Sequence, residues 1–488
     1  MCWNPPKFKV LGIWLNNDLE NIEDLNFNDK YYETKKLFNI WAKRSSTPLG
    51  RIVILKSLIL SKLIYLWIML PNPPDKQIEK LQKECFNFVW DNKQDKIKRT
   101  IATKSIKDGG LNIPDLKTYI NTLKLNSLRK IVNNNAPKWI NILREINPEL
   151  TNLGKYGAHK FDSNMNNLFW KDVFKAYTLL DNNVKTKTAE ELLAEPIFMN
   201  DKFKIGNKTI HFEDWRRNNI FKVGDLVTNE GTFFNIQEFA IRYNFEPRHL
   251  DFLGCVSSVK NYAKRLKINI YTDASNEDHK TLSLLKKTKS AKDLKDYFTN
   301  KDITAAACNK WDQTPGLQIN WNEVFKYSYY IEEVKLKWFQ IKINHRIIVT
   351  NKILSKMGVS QSDNCNFCEV EKDSILHYLW ECIQVQEFWS RLLQWIKSKC
   401  KHCDKVRLTT ELILFGKDNK NKTDKALDTI ILNAKYFIYK CRINKIKPAI
   451  ENFQRELKNI IQCEKYSYYI QMKENKFENK WKLYMPLL

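Results

Sequence analysis

Between positions 365 and 382 the chain reads CNFCEVEKDSILHYLWEC, which spaces Cys365, Cys368, His377 and Cys382 as Cys-x2-Cys-x8-His-x4-Cys. Three thiols and one imidazole this close in sequence can close a tetrahedral shell around zinc, and a closed shell has no open position for chemistry. The spacing predicts a structural zinc module, with the two leading cysteines on a tight turn and with His377 and Cys382 at the start of a helix. A rival set uses Cys400 and Cys403, a second Cys-x2-Cys with His402 between its cysteines. Together with Cys365 and Cys368 they make a possible all-cysteine site, provided that a helix over 388–396 folds back.

What surrounds the quartet is basic. The 488 residues carry a formal net charge of +26, and it is unevenly spread. Lys and Arg against Asp and Glu number 2 and 5 in residues 1–29, and 21 and 8 in residues 30–135. They number 29 and 26 in residues 136–334, and 29 and 16 in residues 335–488. Two basic blocks flank a near-neutral middle, the distribution expected of two surfaces that follow phosphate backbones. No block is a short lysine run beside an apolar anchor, which argues against a membrane-surface patch.

Hydrophobic residues make up 43% of the chain, enough for sizeable cores, while Gly (13) and Pro (14) are scarce. That composition favours helices joined by short turns. Eleven cysteines, an odd number, lie mostly at irregular spacing, and MCWNPPKFKV lacks the apolar core of a secretion signal. A reducing, intracellular location (nucleus, cytoplasm or both) is expected, with thiols free or on metal. In the longest apolar stretch, residues 52–70, Lys56 and Lys62 break the run, so it reads as a buried helix and no membrane partner is expected.

KFKVLGIWL (7–15) reads as a strand followed by a turn at Gly12. Helical spacing resumes over 30–45, and a second helix runs from Pro48 to about Met69, ending at PNPP. Ser57, Ser61 and Tyr65 recur on its one polar strip, with Arg51 and Lys62 at the rim. A third helix over about 75–90, the turn KDGGLNIPDL (107–116) and a helix over 115–132 complete a block that closes at NNNAP (133–137). The middle alternates helical patterns with Asn-rich loops. In it, IYTDASNEDH (270–279) superficially suggests a metal-holding Asp after a strand, but a Lys-rich helix follows, and Asp273 reads as a loop residue capping a turn with Ser275. The last region opens on a helix over 331–347 in which Lys335, Lys337, Trp338, Lys342, His345 and Arg346 interleave cations with aromatics, a composition suited to stacking on unpaired bases and equally to a packed amphipathic helix.

In order, these stretches resemble the C-terminal half of a non-LTR (LINE-type) retrotransposon reverse transcriptase. KFKVLGIWL resembles the family's primer-grip segment, with Val10 where Tyr is usual. WAKRSSTPLGRIVILKSLILSKLIYLWIMLP resembles its thumb, and FNFVWDNKQDKIKRTIATKSIKDGGLNIPDLKTYINTLKL the continuation of that thumb. KWFQIKINHRIIVTNKIL with CNFCEVEKDSILHYLWECIQVQEFW resembles its C-terminal zinc module. The resemblance covers about half the chain, and it departs from the family at one decisive point. A polymerase of this kind holds two metal ions on adjacent aspartates, and the sequence contains no Asp-Asp. Catalytic residues are therefore not expected, and neither is polymerase activity from this chain alone.

The resemblance implies that Lys9, Leu11 and Gly12 position a primer end. It implies that Arg51, Ser57, Ser61, Lys62 and Tyr65 follow a template–primer duplex, and that the C-terminal module binds element RNA or target DNA. The fold expected is mainly α: a multi-domain helical chain with a short N-terminal strand and a small zinc-stapled module. Its expected divisions are a primer-grip-like piece (1–29), a thumb-like helical domain (30–135), a helical connector (136–330) and a basic C-terminal region (331–488) that carries the zinc module (365–382). The expected cofactor is structural zinc, and the expected partners are RNA and DNA. A zinc-stapled helical adaptor for protein interaction, or a non-functional retrotransposon relic, is the rival reading.

Overall fold

The structure, a computed structural model, describes residues 7–16, 22–133, 138–163, 167–270, 278–288, 290–298, 304–416 and 424–487. Asp273, Ser275 and most of the NNNAP stretch lie outside them. The chain is mainly α-helical, as its composition suggests; among the described residues the named strands form two small antiparallel pairs. No single described helix is long and apolar enough to cross a membrane.

Two compact units interleave along the sequence. The first takes residues 1–41, 56–84 and 114–300, and the second takes residues 42–55, 85–113 and 301–488. The block 30–135, expected to be one thumb-like domain, contributes to both.

In the first unit, the expected N-terminal strand is a hairpin. Lys7–Val10 pairs with Ile13–Asn16 through a two-residue turn at Leu11 and Gly12. Both turn residues have positive φ, 49° and 86°, which a tight hairpin turn with the native strand twist demands. Gly12 adopts this freely; Leu11 does so against its Cβ. Asn26 clamps the hairpin, accepting from the Trp14 N–H and donating to the Trp14 carbonyl, both at 2.8 Å.

The first unit's core is built by helices Leu116–Val132, Leu168–Asn183 and His249–Leu266, which bury Leu125, Leu128, Phe174, Tyr177, Leu180 and Val259. Asp115 caps the first of these by accepting from the Thr118 N–H at 2.8 Å. Beside this apolar core sits a buried polar nest. His279 Nε2 lies 3.2 Å from Asp181 and 3.3 Å from Glu195, while Lys202 reaches Glu195 at 2.7 Å. Burial would raise the Glu195 carboxyl, but His279 and Lys202 outweigh it and hold the group well below the usual carboxylate range.

The second unit buries Phe339, Tyr378, Phe388, Trp389, Ile438, Phe453, Leu457 and Trp481 in one core. Helices Val334–Asn344, Ile383–Lys399, Lys425–Ile443 and Ile450–Ile470 supply most of it. Into this unit folds the Gly-Gly turn. A short 3-10 turn at Ile106–Asp108 ends on Gly109 at φ 80°, and the Gly110 N–H donates back to the Ser105 carbonyl at 2.8 Å. A Cβ on Gly110 would lie 2.1 Å from the Lys104 carbonyl oxygen. Backbone cannot yield as a side-chain tip can, so a Gly110→Ala chain should lose about 2–3 kcal/mol. Urea titration of the variant beside the wild type measures this; a shift under about 0.5 kcal/mol would show that the turn relaxes freely.

Candidate functional site

The Cys/His quartet is brought together inside the second unit. A small antiparallel loop sets up the first two ligands. Cys365 N–H donates to the Glu371 carbonyl at 2.7 Å, and Asp373 N–H donates to the Asp363 carbonyl at 2.8 Å. The Cys-x2-Cys turn closes with Glu369 at φ 60° and its N–H on the Cys365 carbonyl at 2.9 Å. His377 opens a single π-type turn, His377–Glu381, and Cys382 caps helix Ile383–Lys399. A thiol at a helix N-terminus faces unpaired N–H groups that favour its thiolate. The expected local arrangement, a turn followed by a helix start, is therefore present.

The four ligand atoms lie within 4.8 Å of one another. Zinc–thiolate bonds of about 2.3 Å in a tetrahedron put sulfurs about 3.8 Å apart, and a sulfur and a nitrogen about 3.5 Å apart. Here Cys365 Sγ is 3.9 Å from Cys382 Sγ, and Cys368 Sγ is 3.4 Å from His377 Nε2. The cluster can hold a metal ion, and these two edges match those of a tetrahedral shell. Without an ion the thiols share protons: Cys365, donating to Cys382 and partly desolvated, is pushed up, and Cys382 is drawn down. Phe367 N–H points at Cys365 Sγ from 3.4 Å, a donor that steadies a ligating sulfur.

Cys400 and Cys403 do not join this group. They follow helix Ile383–Lys399, whose 17 residues span about 25 Å at 1.5 Å each. Cys403 instead contacts His402 at 3.2 Å and the Tyr484 hydroxyl at 3.4 Å.

What fixes the metal loop to the rest of its unit was not readable from sequence. Asp373 is fully buried and takes a bidentate grip from Arg442, of helix Lys425–Ile443, plus the Asn351 N–H at 2.6 Å. Arg442 also donates to the Val349 carbonyl at 3.2 Å, and Asn366, between the first two cysteines, donates to the Arg442 carbonyl at 3.0 Å. In sequence, Asp373 and Arg442 are two members of ordinary charge runs 69 positions apart.

The nucleic-acid candidates divide between the units. In the first unit Ser57, Ser61, Lys62 and Tyr65 are exposed, as are Lys9, Leu11 and Gly12. Tyr65 donates its hydroxyl to the Leu11 carbonyl at 2.9 Å, so the polar strip and the hairpin turn meet on one face. Arg51 departs from that strip. It is buried in the second unit, with Nη1 on the Phe88 carbonyl at 2.8 Å and Nη2 on Asp91 at 2.7 Å. The helix expected as one run is Pro48–Ile54, a π-type turn Leu55–Ile59, then Ser61–Met69, and the extra residue of a π turn breaks the wheel on which Arg51 shared the strip's edge.

In the second unit each cation of the 331–347 stretch lies over an aromatic ring. Lys335 is 5.1 Å from the Tyr436 ring, Lys337 5.9 Å from Tyr329, Lys342 4.9 Å from Tyr439 and Arg346 4.3 Å from Trp311. Trp338 is half-buried and tilts against Trp90 at 6.2 Å. Trp338, which suggested base stacking, thus packs on Trp90, and the cations of the stretch lie over the protein's own rings, which leaves charge more than stacking for a ligand. His345 is buried and donates from Nε2 to the Gly109 carbonyl at 2.9 Å, so it faces the Gly-Gly turn and not a ligand.

No known protein-family model matches the chain.

Two outcomes follow from this geometry. Replacing Cys382 by Ser, or removing metal with a chelator, should lower the melting temperature of the second unit and make it insensitive to added zinc; calorimetry with and without chelator measures both. An unchanged transition would show that the quartet holds no ion. His345 gives a pH dependence. Burial holds its imidazole down at about 4 in the folded chain, against an ordinary 6.5. The unfolded chain therefore takes up a proton first as pH falls, so stability present above 6.5 is lost between 6.5 and about 4. The loss should be about 2–3 kcal/mol, and His345→Gln, which keeps a donor for Gly109, should flatten that segment of a stability–pH curve.

Proposed function

We propose that the chain binds nucleic acid through phosphate contacts, as the thumb, connector and zinc-bearing tail of a non-LTR retrotransposon reverse transcriptase without its polymerase centre. The observation that carries the reading is the company the metal cluster keeps. The unit that contains it holds 41 Lys and Arg against 24 Asp and Glu, a net +17 of the chain's +26. A basic body stapled by a metal knuckle suits sequence-independent binding along a phosphate backbone. The ion in the quartet is then zinc: three thiolates and an imidazole at tetrahedral spacing select a soft, four-coordinate ion that needs no redox chemistry.

In this reading the exposed strip of Ser57, Ser61, Lys62 and Tyr65, joined to Leu11, lies along a duplex and touches phosphates and 2′-hydroxyls. Lys335, Lys337, Lys342 and Arg346 add charge from the second unit. No polymerase activity is assigned, in keeping with the missing aspartate pair.

The test is a gel-shift titration against an RNA stem-loop, an RNA–DNA duplex and single-stranded DNA at two salt concentrations, with and without chelator. The expected result is binding that falls steeply and linearly in log salt and weakens on chelation. Binding indifferent to salt, or no stronger than that of an unrelated basic protein, would overturn the reading and favour a protein-binding adaptor.

A further inference from the structure

A cavity of about 410 Å³ opens in the second unit beside the metal loop. Its lining includes Lys96, Lys342, Arg442 and Lys445, with Asn351, Asn366 and Tyr439. Among the described residues, no acidic one lines it. The charge of Arg442 is matched from behind by buried Asp373, which leaves the three lysines unmatched within the cavity. Lys342 is half-buried; its Nζ lies 3.5 Å from the Tyr439 hydroxyl, and burial lowers its affinity for a proton. A desolvated ammonium without a carboxylate is costly unless an anion completes it. The wall is rigid: Asn351 donates to the Asn364 carbonyl at 2.8 Å and to the Asn366 side chain at 2.7 Å, and Asn366 holds the Arg442 carbonyl. The volume lies within the range of small-molecule sites and is too large for a bare phosphate alone.

We infer that this cavity seats one phosphorylated nucleotide unit of a bound strand, its phosphate held by Lys96, Lys342 and Lys445. The inference rests on the nucleic-acid reading above and makes it specific: Lys342 stands on helix Val334–Asn344 and Lys445 just beyond helix Lys425–Ile443, while the metal loop adds Asn366 to the wall, so the seat is complete only when that loop is docked. Lysines act here as point charges on a phosphate and not as readers of base edges. The seat therefore takes any nucleotide and contributes affinity without sequence preference.

The test compares wild type, Lys342→Met/Lys445→Met, the single exposed-site variant Lys96→Met, and a control pair of exposed lysines outside the cavity, Lys458→Met/Lys465→Met. Adenosine 5′-monophosphate and adenosine are titrated by thermal shift, and a fluorescent RNA oligonucleotide by anisotropy across a salt series. Adenosine monophosphate should protect wild type and the control, adenosine should protect neither, and the cavity pair should lose the protection. RNA affinity should fall about tenfold or more in the cavity pair beyond the control, with the salt slope reduced by about two. Lys96→Met, which cannot disturb the core, should show part of both losses. RNA affinity that falls equally in the cavity and control pairs, or protection by adenosine itself, overturns the seat while leaving the nucleic-acid reading in place. Protection by adenosine monophosphate through these lysines in a protein that binds no RNA upholds the seat as a nucleotide site and overturns the nucleic-acid reading.

Discussion

Asp373 has no exposed surface, and an ionised carboxylate there is tolerable only because Arg442 and the Asn351 N–H surround it. Isolating a charge in a protein interior costs several kcal/mol. The pair therefore acts as a lock: with Arg442 in place the metal loop has one docking geometry, and without it Asp373 is a buried charge with no cation beside it. Everything that depends on where the loop sits follows from this contact. It sets the direction of the Cys-x2-Cys turn, the side chain of Asn366 and the wall of the lysine-lined cavity. Arg442 lies over the Tyr378 ring at 4.8 Å, and Tyr378 is next to the ligand His377, so the same guanidinium braces the loop from two sides.

The loop needs such help because it is too short to build a core of its own. Segments of this size fold stably only with a staple or a scaffold. Here the chain supplies both. Phe367, Ile375, Tyr378 and Leu379 extend the unit's apolar core into the loop, the four ligands can close around an ion, and Arg442 anchors the far strand. Metal affinity and loop docking are then two faces of one equilibrium, since an ion that binds only the docked loop stabilises it by its own binding free energy.

Much of this was legible in the sequence where local chemistry decides the outcome. The ligand spacing predicted the quartet, and the turn and helix start that carry it are where the cysteines placed them. Helix composition predicted a mainly α chain. The polar strip of Ser57, Ser61 and Tyr65 is exposed as its period implied. What escaped are the contacts between distant charges. Nothing local distinguishes Arg51, buried against Phe88 and Asp91, from an arginine at a groove edge, and Lys124 and Lys435 look like surface charges but are fully buried. Lys435 donates to Gln340 at 2.6 Å, and burial pushes its ammonium down to about 7. Residues with long stems are read as solvent-facing because their tips usually are, and only tertiary packing shows which tips are not. The polar nest of Asp181, Glu195, Lys202 and His279 was missed for the same reason: its members lie up to 98 positions apart, and no spacing rule links them.

Charge accounting at the metal centre also separates what the knuckle can do from what its neighbours do. A divalent ion with three thiolates and one neutral imidazole carries a net charge of about −1. Such a centre repels phosphate slightly, so in a nucleic-acid-binding role it cannot be the contact itself. In that role the attraction must come from lysines of the same unit, and the cavity that Asn366 of the loop helps to wall gathers three of them. Under that proposal, metal loss would weaken phosphate binding by releasing the wall that Asn366 completes, with the lysine charges still present. Since long-range attraction depends on total charge and close grip on geometry, an undocked loop should leave the approach of an anionic strand intact and shorten its stay.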